Sequence, residues 1–172
     1  MDYPSPMSLA EDIELIQRQE AELKLPRFDN DVAWTLGNLL RDLALSRKQA
    51  IVIDIRRFGQ PDQQLFYTAL IGTTPDNARW VQRKINVVAR FHRSSYQVGR
   101  YLEQVGKTFS ERYNLPEADY AAHGGSFPLH VDGAGIIGAI TVSGLPQRDD
   151  HNLVVEALCL HLGCEYASLR LT

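Results

Sequence analysis

The run GAGIIGAITVSG, Gly133 to Gly144, most constrains what this chain can fold into. Its first six letters match G-x-G-x-x-G, the pattern that cradles a dinucleotide pyrophosphate when a helix comes next. Such a loop needs that helix so that its N-terminus faces the phosphate. Here the glycines lead instead into Ile136, Ile137, Ile140, Thr141 and Val142, β-branched residues that favour a strand. FPLHV (Phe127–Val131) before the glycines also reads as a strand, and DGAG between the two supplies the positive φ of a tight turn. The stretch therefore reads as an antiparallel hairpin, and it argues against a nucleotide-binding fold.

The remaining elements fit around that hairpin. Ser8 and Glu11 have capping-box spacing and open a helix to about Leu23. Its narrow stripe of Leu9, Ile13, Ile16 and Leu23 suits either a core or a partner helix, and Pro26 ends it. A second helix, Asp31 to Ser46, carries a broad apolar face of Ala33, Leu36, Leu39, Leu40 and Leu43. QAIVIDIRRF and LFYTALIG, separated by the turn residues GQPDQQ, predict another antiparallel hairpin. Thr74-Pro75 caps a long helix to about Phe91, and the pattern allows a continuation through Gly99 to Val105. KTFSERYNLPEAD reads as a polar connector. Pro146 opens a final helix with Leu153, Val154, Ala157, Leu158 and Leu162 on its apolar face, closed by Gly163.

Two hairpins among amphipathic helices predict an α+β fold, an antiparallel sheet flanked by helices with a further helix at the N-terminus. A length of 172 residues suits one domain over residues 7–172 behind a loose tail over 1–6. A net charge of −3 gives no reason to expect nucleic acid or an anionic membrane as partner. No run approaches the ~20 apolar residues of a membrane span. MDYPSPMSLAEDIEL has neither the basic nor the apolar region of a secretory signal, so a cytoplasmic location is expected, with Cys159 and Cys164 reduced.

Histidine is the main chemical resource: His92, His123, His130, His151 and His161. His123, in AAHGG, precedes two glycines that let a ligand or the backbone come close. His151 sits beside Asp149 and Asp150, which either orient its imidazole or complement the helix dipole. His130 and His161 read as structural. The absence of H-E-x-x-H and of paired C-x-x-C argues against zinc. Ser143 and Ser94-Ser95 lack the G-x-S-x-G context of a nucleophile. Residues 79–100 hold six Lys or Arg and no Asp or Glu. Arg79, Arg83, Asn86, Arg90 and Arg93 step by 4, 3, 4 and 3, so a continuous helix presents them on one face. Such a cluster suits a carboxylate or phosphate, or else acidic residues of this chain or a neighbouring subunit. Trp80, Val87, Val88 and Phe91 on the other side are expected in the core.

Several segments together carry a family resemblance. YAAHGGSFPLHVDGAGIIGAITVSGLPQRDDHNLVVEAL, FDNDVAWTLGNLL and GTTPDNARWVQRKINVVARFHRSSYQVGR, spanning most of the chain from about Ala21, are similar to an uncharacterised bacterial and fungal family. That family is related to the haem-degrading domain group that includes the GlcG and HbpS proteins. The resemblance implies a profilin-like α+β outline, homo-oligomers, and, through the more distant branch, haem binding or degradation. Haem iron is commonly held by His, Cys, Met or Tyr, and no C-x-x-C-H motif attaches one covalently. If haem is the ligand, His123 or His151 approaches the iron, Arg83 and Arg90 take the propionates beside Arg79, and Trp80 or Phe91 lines the ring. Two other readings stay open: a non-catalytic homo-oligomeric scaffold or adaptor for a protein partner, and an enzyme acting on a small carboxylic acid.

Overall fold

A computed structural model describes residues 8–172; the tail expected over 1–6 lies outside the described residues. The elements run α1 (Leu9–Glu22), α2 (Asn30–Ser46), β1 (Val52–Arg57), β2 (Gln63–Ala69), α3 (Pro75–Phe91), α4 (Ser95–Gln104), α5 (Phe109–Tyr113), β3 (Ser126–Val131), β4 (Gly135–Ser143) and α6 (Gln147–Leu162). A short 3₁₀ turn, Tyr166–Ser168, comes after α6. The strands form one antiparallel sheet in the order β2-β1-β4-β3. Both expected hairpins are present, with β1 and β4 joining them through the pairs Val52–Ser143, Asp54–Thr141 and Arg56–Ala139. Gly133 and Gly135, at φ 75° and 78°, make the turn before β4.

Strand alternation gives this sheet two faces of different character. Ile53 and Ile55 on β1, Phe127 and Leu129 on β3, and Ile140 and Val142 on β4 pack with the apolar stripes of α2 and α6 in the main core. Each such side chain contributes roughly 1.5–3 kcal/mol by leaving water. The opposite face presents Val52, Asp54, Ser126, Ala139, Thr141 and Ser143, most of them polar, and α3 lies across it through Val81, Ile85 and Val88. Two of its buried hydroxyls satisfy one another, Ser126 Oγ and Thr141 Oγ1 lying 2.8 Å apart.

The N-terminal stripe is used within the chain. Ile16 packs with Tyr96 of α4 and with Leu171, and Leu23 joins the main core, so α1 is not left over as a bare partner helix.

Two expectations are corrected here. The long basic helix does not continue past Phe91. His92 takes the left-handed conformation of a C-cap at φ 53°, and Ser94 caps the new helix by accepting the Gln97 N–H at 3.1 Å. Arg93 therefore leaves the face that carries Arg79, Arg83 and Arg90. The polar connector also contains a helix, α5, opened by a Thr108–Glu111 capping box and closed by Asn114 at φ 54°.

Candidate functional site

The polar face of the sheet and the helix above it build a cleft of about 270 Å³, lined by residues that include Trp80, Lys84, His123, Ser143, Gln147 and Asp150. Lys84 occupies the stripe position between Val81 and Val88, which directs its side chain down to the sheet. There its Nζ donates to Asp150 Oδ2 at 2.8 Å and to the Val142 carbonyl at 3.2 Å. Asp150, in the first turn of α6, also accepts the Leu145 N–H at 3.0 Å and the Gly144 N–H at 3.4 Å. Burial disfavours charge on both partners, holding the Lys84 ammonium below its ordinary value and the Asp150 carboxyl above its own. Their mutual attraction and the extra hydrogen bonds oppose that effect, and the pair forms the floor of the cleft.

Trp80 and His123 stand at the rim, edge to face with ring centroids 5.2 Å apart. The Arg83 guanidinium lies 4.5 Å over the indole ring, and its Nε and Nη2 both donate to the Glu117 carbonyl, at 3.0 and 2.6 Å. The indole N–H is fixed by Asp76 Oδ2 at 3.1 Å. Partial burial, reinforced by the Lys84 and Arg83 charges, lowers the His123 pKa, which keeps the imidazole neutral and its lone pair free for a ligand at neutral pH. On the far side of Arg83 a groove of about 570 Å³ is lined by Arg79, Asn86, Glu117 and Asp119.

Of the residues named from the sequence, His123, Trp80, Arg83 and Arg79 thus share one stretch of surface. Trp80 is half-buried at the rim, not in the core. Arg90 is exposed and lines neither cavity. Phe91 turns away into an aromatic cluster, 5.8 Å from Phe109 and 4.7 Å from Tyr113. Among the described residues Arg79, Arg83, Arg90 and Arg93 form no ion pair, so the basic face is not consumed by acids of its own chain.

His151 has no exposed surface, and neither neighbouring carboxylate orients it. Its Nε2 lies 2.7 Å from Gln19 Oε1. Gln19 spends its own amide N–H on the Leu169 carbonyl at 2.6 Å, so the histidine must be the donor. Nδ1 is then bare and without a partner. Burial pushes this imidazole down to about 3, and it stays neutral in the core. Of the two histidines, His123 lines the cleft and His151 does not.

The glycines after His123 serve the backbone. A Cβ on Gly124 would lie 1.8 Å from the Gln147 carbonyl oxygen, and one on Gly125 would lie 2.4 Å from that of Val142. They let the chain press against α6 and β4 and so deliver His123 to the rim.

Lys84 and Asp150 are not legible as site residues in the sequence, where each has a plainer explanation, a basic run and a helix dipole. The available signal was their place in apolar stripes, Val81-Lys84-Ile85-Val88 and Asp150-Leu153-Val154-Ala157. No group of three or more His, Cys, Asp or Glu among the described residues is placed to hold a metal ion. The Cys159 thiol, raised to about 12 by burial, is no nucleophile.

Fold and site together define an α+β protein with a polar-faced antiparallel sheet and a cleft rimmed by tryptophan and a neutral histidine over a buried lysine–aspartate pair, with two arginines lining the adjoining groove. The chain belongs to the HbpS-like family, whose model, described as haem degrading protein HbpS-like, matches residues 28–159. A UPF0303 protein of Burkholderia cenocepacia is 58% identical over 165 residues, covering 96% of this chain and 98% of that one. Among solved structures, that of the Ybr137w protein is similar at 28% identity with a TM-score of 0.80, covering 88% of this chain and 87% of that chain. A structure described as a PduOC:heme complex shares the fold at 15% identity, with a TM-score of 0.63 over 78% of this chain and 94% of that one.

Proposed function

We propose that the cleft beside His123 binds a small anionic ligand, with haem as the first candidate. The observation that carries this reading is the grouping of a neutral, accessible imidazole with an aromatic rim and the guanidinium groups of Arg83 and Arg79, which pair with no acid of the described chain. The donor set suits haem: His123 is the residue to approach iron, Arg83 and Arg79 match propionates, and Trp80 offers a face to the ring. When bound, haem supplies the redox chemistry; the protein supplies position and charge. A cleft of about 270 Å³ does not enclose a tetrapyrrole by itself, so the reading includes a second copy of the chain covering the exposed ring face.

A feature of the sheet supports self-association. β2 is an edge strand, QQLFYTA, with no charge or proline to discourage pairing, and exposed Tyr67, Ile71 and Trp34 lie on or beside it. The same feature favours the second reading, a homo-oligomeric scaffold or adaptor without a ligand.

Absorbance titration of the purified protein with haem, alongside its mass in solution, separates the two. Saturation near one haem per chain is expected, with the spectrum altered in His123→Ala and affinity about tenfold weaker in Arg83→Gln. Weak, non-saturating change that is equal in all three proteins refutes haem binding at this site; a stable oligomer in that case leaves the scaffold reading standing.

A further inference from the structure

A separate cavity of about 350 Å³ opens between α1, the α3–α4 junction and α5. It shares no lining residue with the His123 cleft. Phe91 and Val98 form its apolar floor, Tyr101 and Tyr113 its aromatic walls, and Arg93 and Arg112 bring positive charge. Its construction arises from the helix break at His92. Because the chain turns there, Arg93 leaves the α3 face and comes to the cavity containing Phe91, while α5 carries in Tyr113 and Arg112.

The two guanidinium groups are held but not neutralised. Arg93 Nη1 donates to Gln97 Oε1 at 3.1 Å, and Arg112 Nη2 donates to the Tyr101 hydroxyl at 3.3 Å. Arg112 also lies over both tyrosine rings, 5.9 Å from the Tyr101 centroid and 5.6 Å from that of Tyr113. Among the described residues neither arginine forms an ion pair. Glu20 feels the Arg93 charge, but its carboxylate is engaged by the Ser94 N–H at 2.7 Å.

We propose that this cavity is a second ligand site, for a one- or two-ring aromatic carrying a carboxylate or phosphate. Each part of that ligand has its counterpart. A flat ring packs against Phe91 and Tyr113, where offset or edge contacts add to simple burial. An anionic group takes the forked donors of Arg93 and Arg112, a match that a neutral aromatic cannot make. The volume sits at the low end of the ~300–1,000 Å³ range of ligand clefts, which suits this size and not a tetrapyrrole. The site stands whether or not the His123 cleft binds haem.

Calorimetric titration of the full chain with 2-naphthoate tests it, with naphthyl phosphate as the phosphate counterpart. Saturable binding to one site per chain is expected, about tenfold weaker in Arg93→Gln and in Arg112→Gln, with 2-naphthalenemethanol weaker by a similar factor. Arg41→Gln, the same charge change on exposed α2, leaves affinity unaltered, and haem titration of Arg112→Gln matches the parent. Absence of saturable binding by both anions overturns the proposal. So does equal affinity in Arg112→Gln and Arg41→Gln, or equal affinity for the acid and the neutral alcohol.

Discussion

Removing Lys84 alone is expected to destabilise this protein far more than removing it together with the charge of Asp150. The side chains of Lys84 and Asp150 are only 4% and 2% exposed, so water cannot substitute for a missing partner. Lys84→Met leaves a buried carboxylate with only the Leu145 and Gly144 amides, and breaking such a pair from one side costs ~3–5 kcal/mol. With a urea m-value of about 2 kcal/mol/M, the unfolding midpoint should fall by roughly 1.5–2.5 M. Asp150→Asn strands the ammonium instead and should cost a similar amount. The double variant Lys84→Met/Asp150→Asn removes both charges and keeps an acceptor for the Leu145 amide, the shorter of the two bonds. It should therefore cost no more than about 1–2 kcal/mol, well below either single and far below their sum. The pH dependences should oppose each other. In Lys84→Met the raised Asp150 carboxyl contributes stability that is full below the ordinary carboxylate value and lost as pH rises, so the deficit shrinks in acid. In Asp150→Asn the depressed Lys84 contributes stability that is full above the ordinary lysine value and lost as pH falls, so that deficit shrinks in alkali. Single-variant costs that add within ~0.5 kcal/mol, or that stay below ~1 kcal/mol as for an exposed pair, would refute the buried-pair argument.

His151 should impose an acid limit on stability. Its folded value of about 3 lies below the ~6.5 of an unfolded histidine, so its contribution is full above that upper value and is lost as pH falls through the interval. Urea midpoints at several pH values should show the parent losing roughly 2–3 kcal/mol more than His151→Gln between about pH 6 and 4; parallel curves would contradict the buried neutral assignment. Gly125→Ala, at φ 126° and pressed on the Val142 carbonyl, should cost about 2 kcal/mol or more. Gly106→Ala, at φ 61° with open space around it, should cost only about 1 kcal/mol in the same assay, and equal costs would argue against the close approach.

Much of the fold was legible in local patterns. The β-branched run after Gly135, the capping box at Ser8 and the Gly163 C-cap each act through neighbouring residues, and the elements they imply are present. The break at His92 was not legible from apolar and basic spacing, because that spacing continues smoothly past it. It reflects a histidine in a left-handed cap and a Ser94 amide held by Glu20, which is distant in sequence. The grouping of His123 with Trp80 and Arg83 was only half legible. Their residue types were plain, but the backbone packing at Gly124 and Gly125 decides which way His123 faces.

What the sequence determined by itself is what short-range physics controls: two hairpins, amphipathic helices with their caps, a strand in place of a phosphate loop, and therefore an α+β chain with a basic helix. Only the tertiary structure decided which polar residues meet. Two histidines of similar local promise end in opposite places, His123 at an accessible rim and His151 in the core against Gln19. Lys84, one basic residue among several on α3, becomes the buried partner of Asp150 across 66 positions of chain. Burial and charge pairing depend on groups brought together through space, and no local window of the sequence contains both partners.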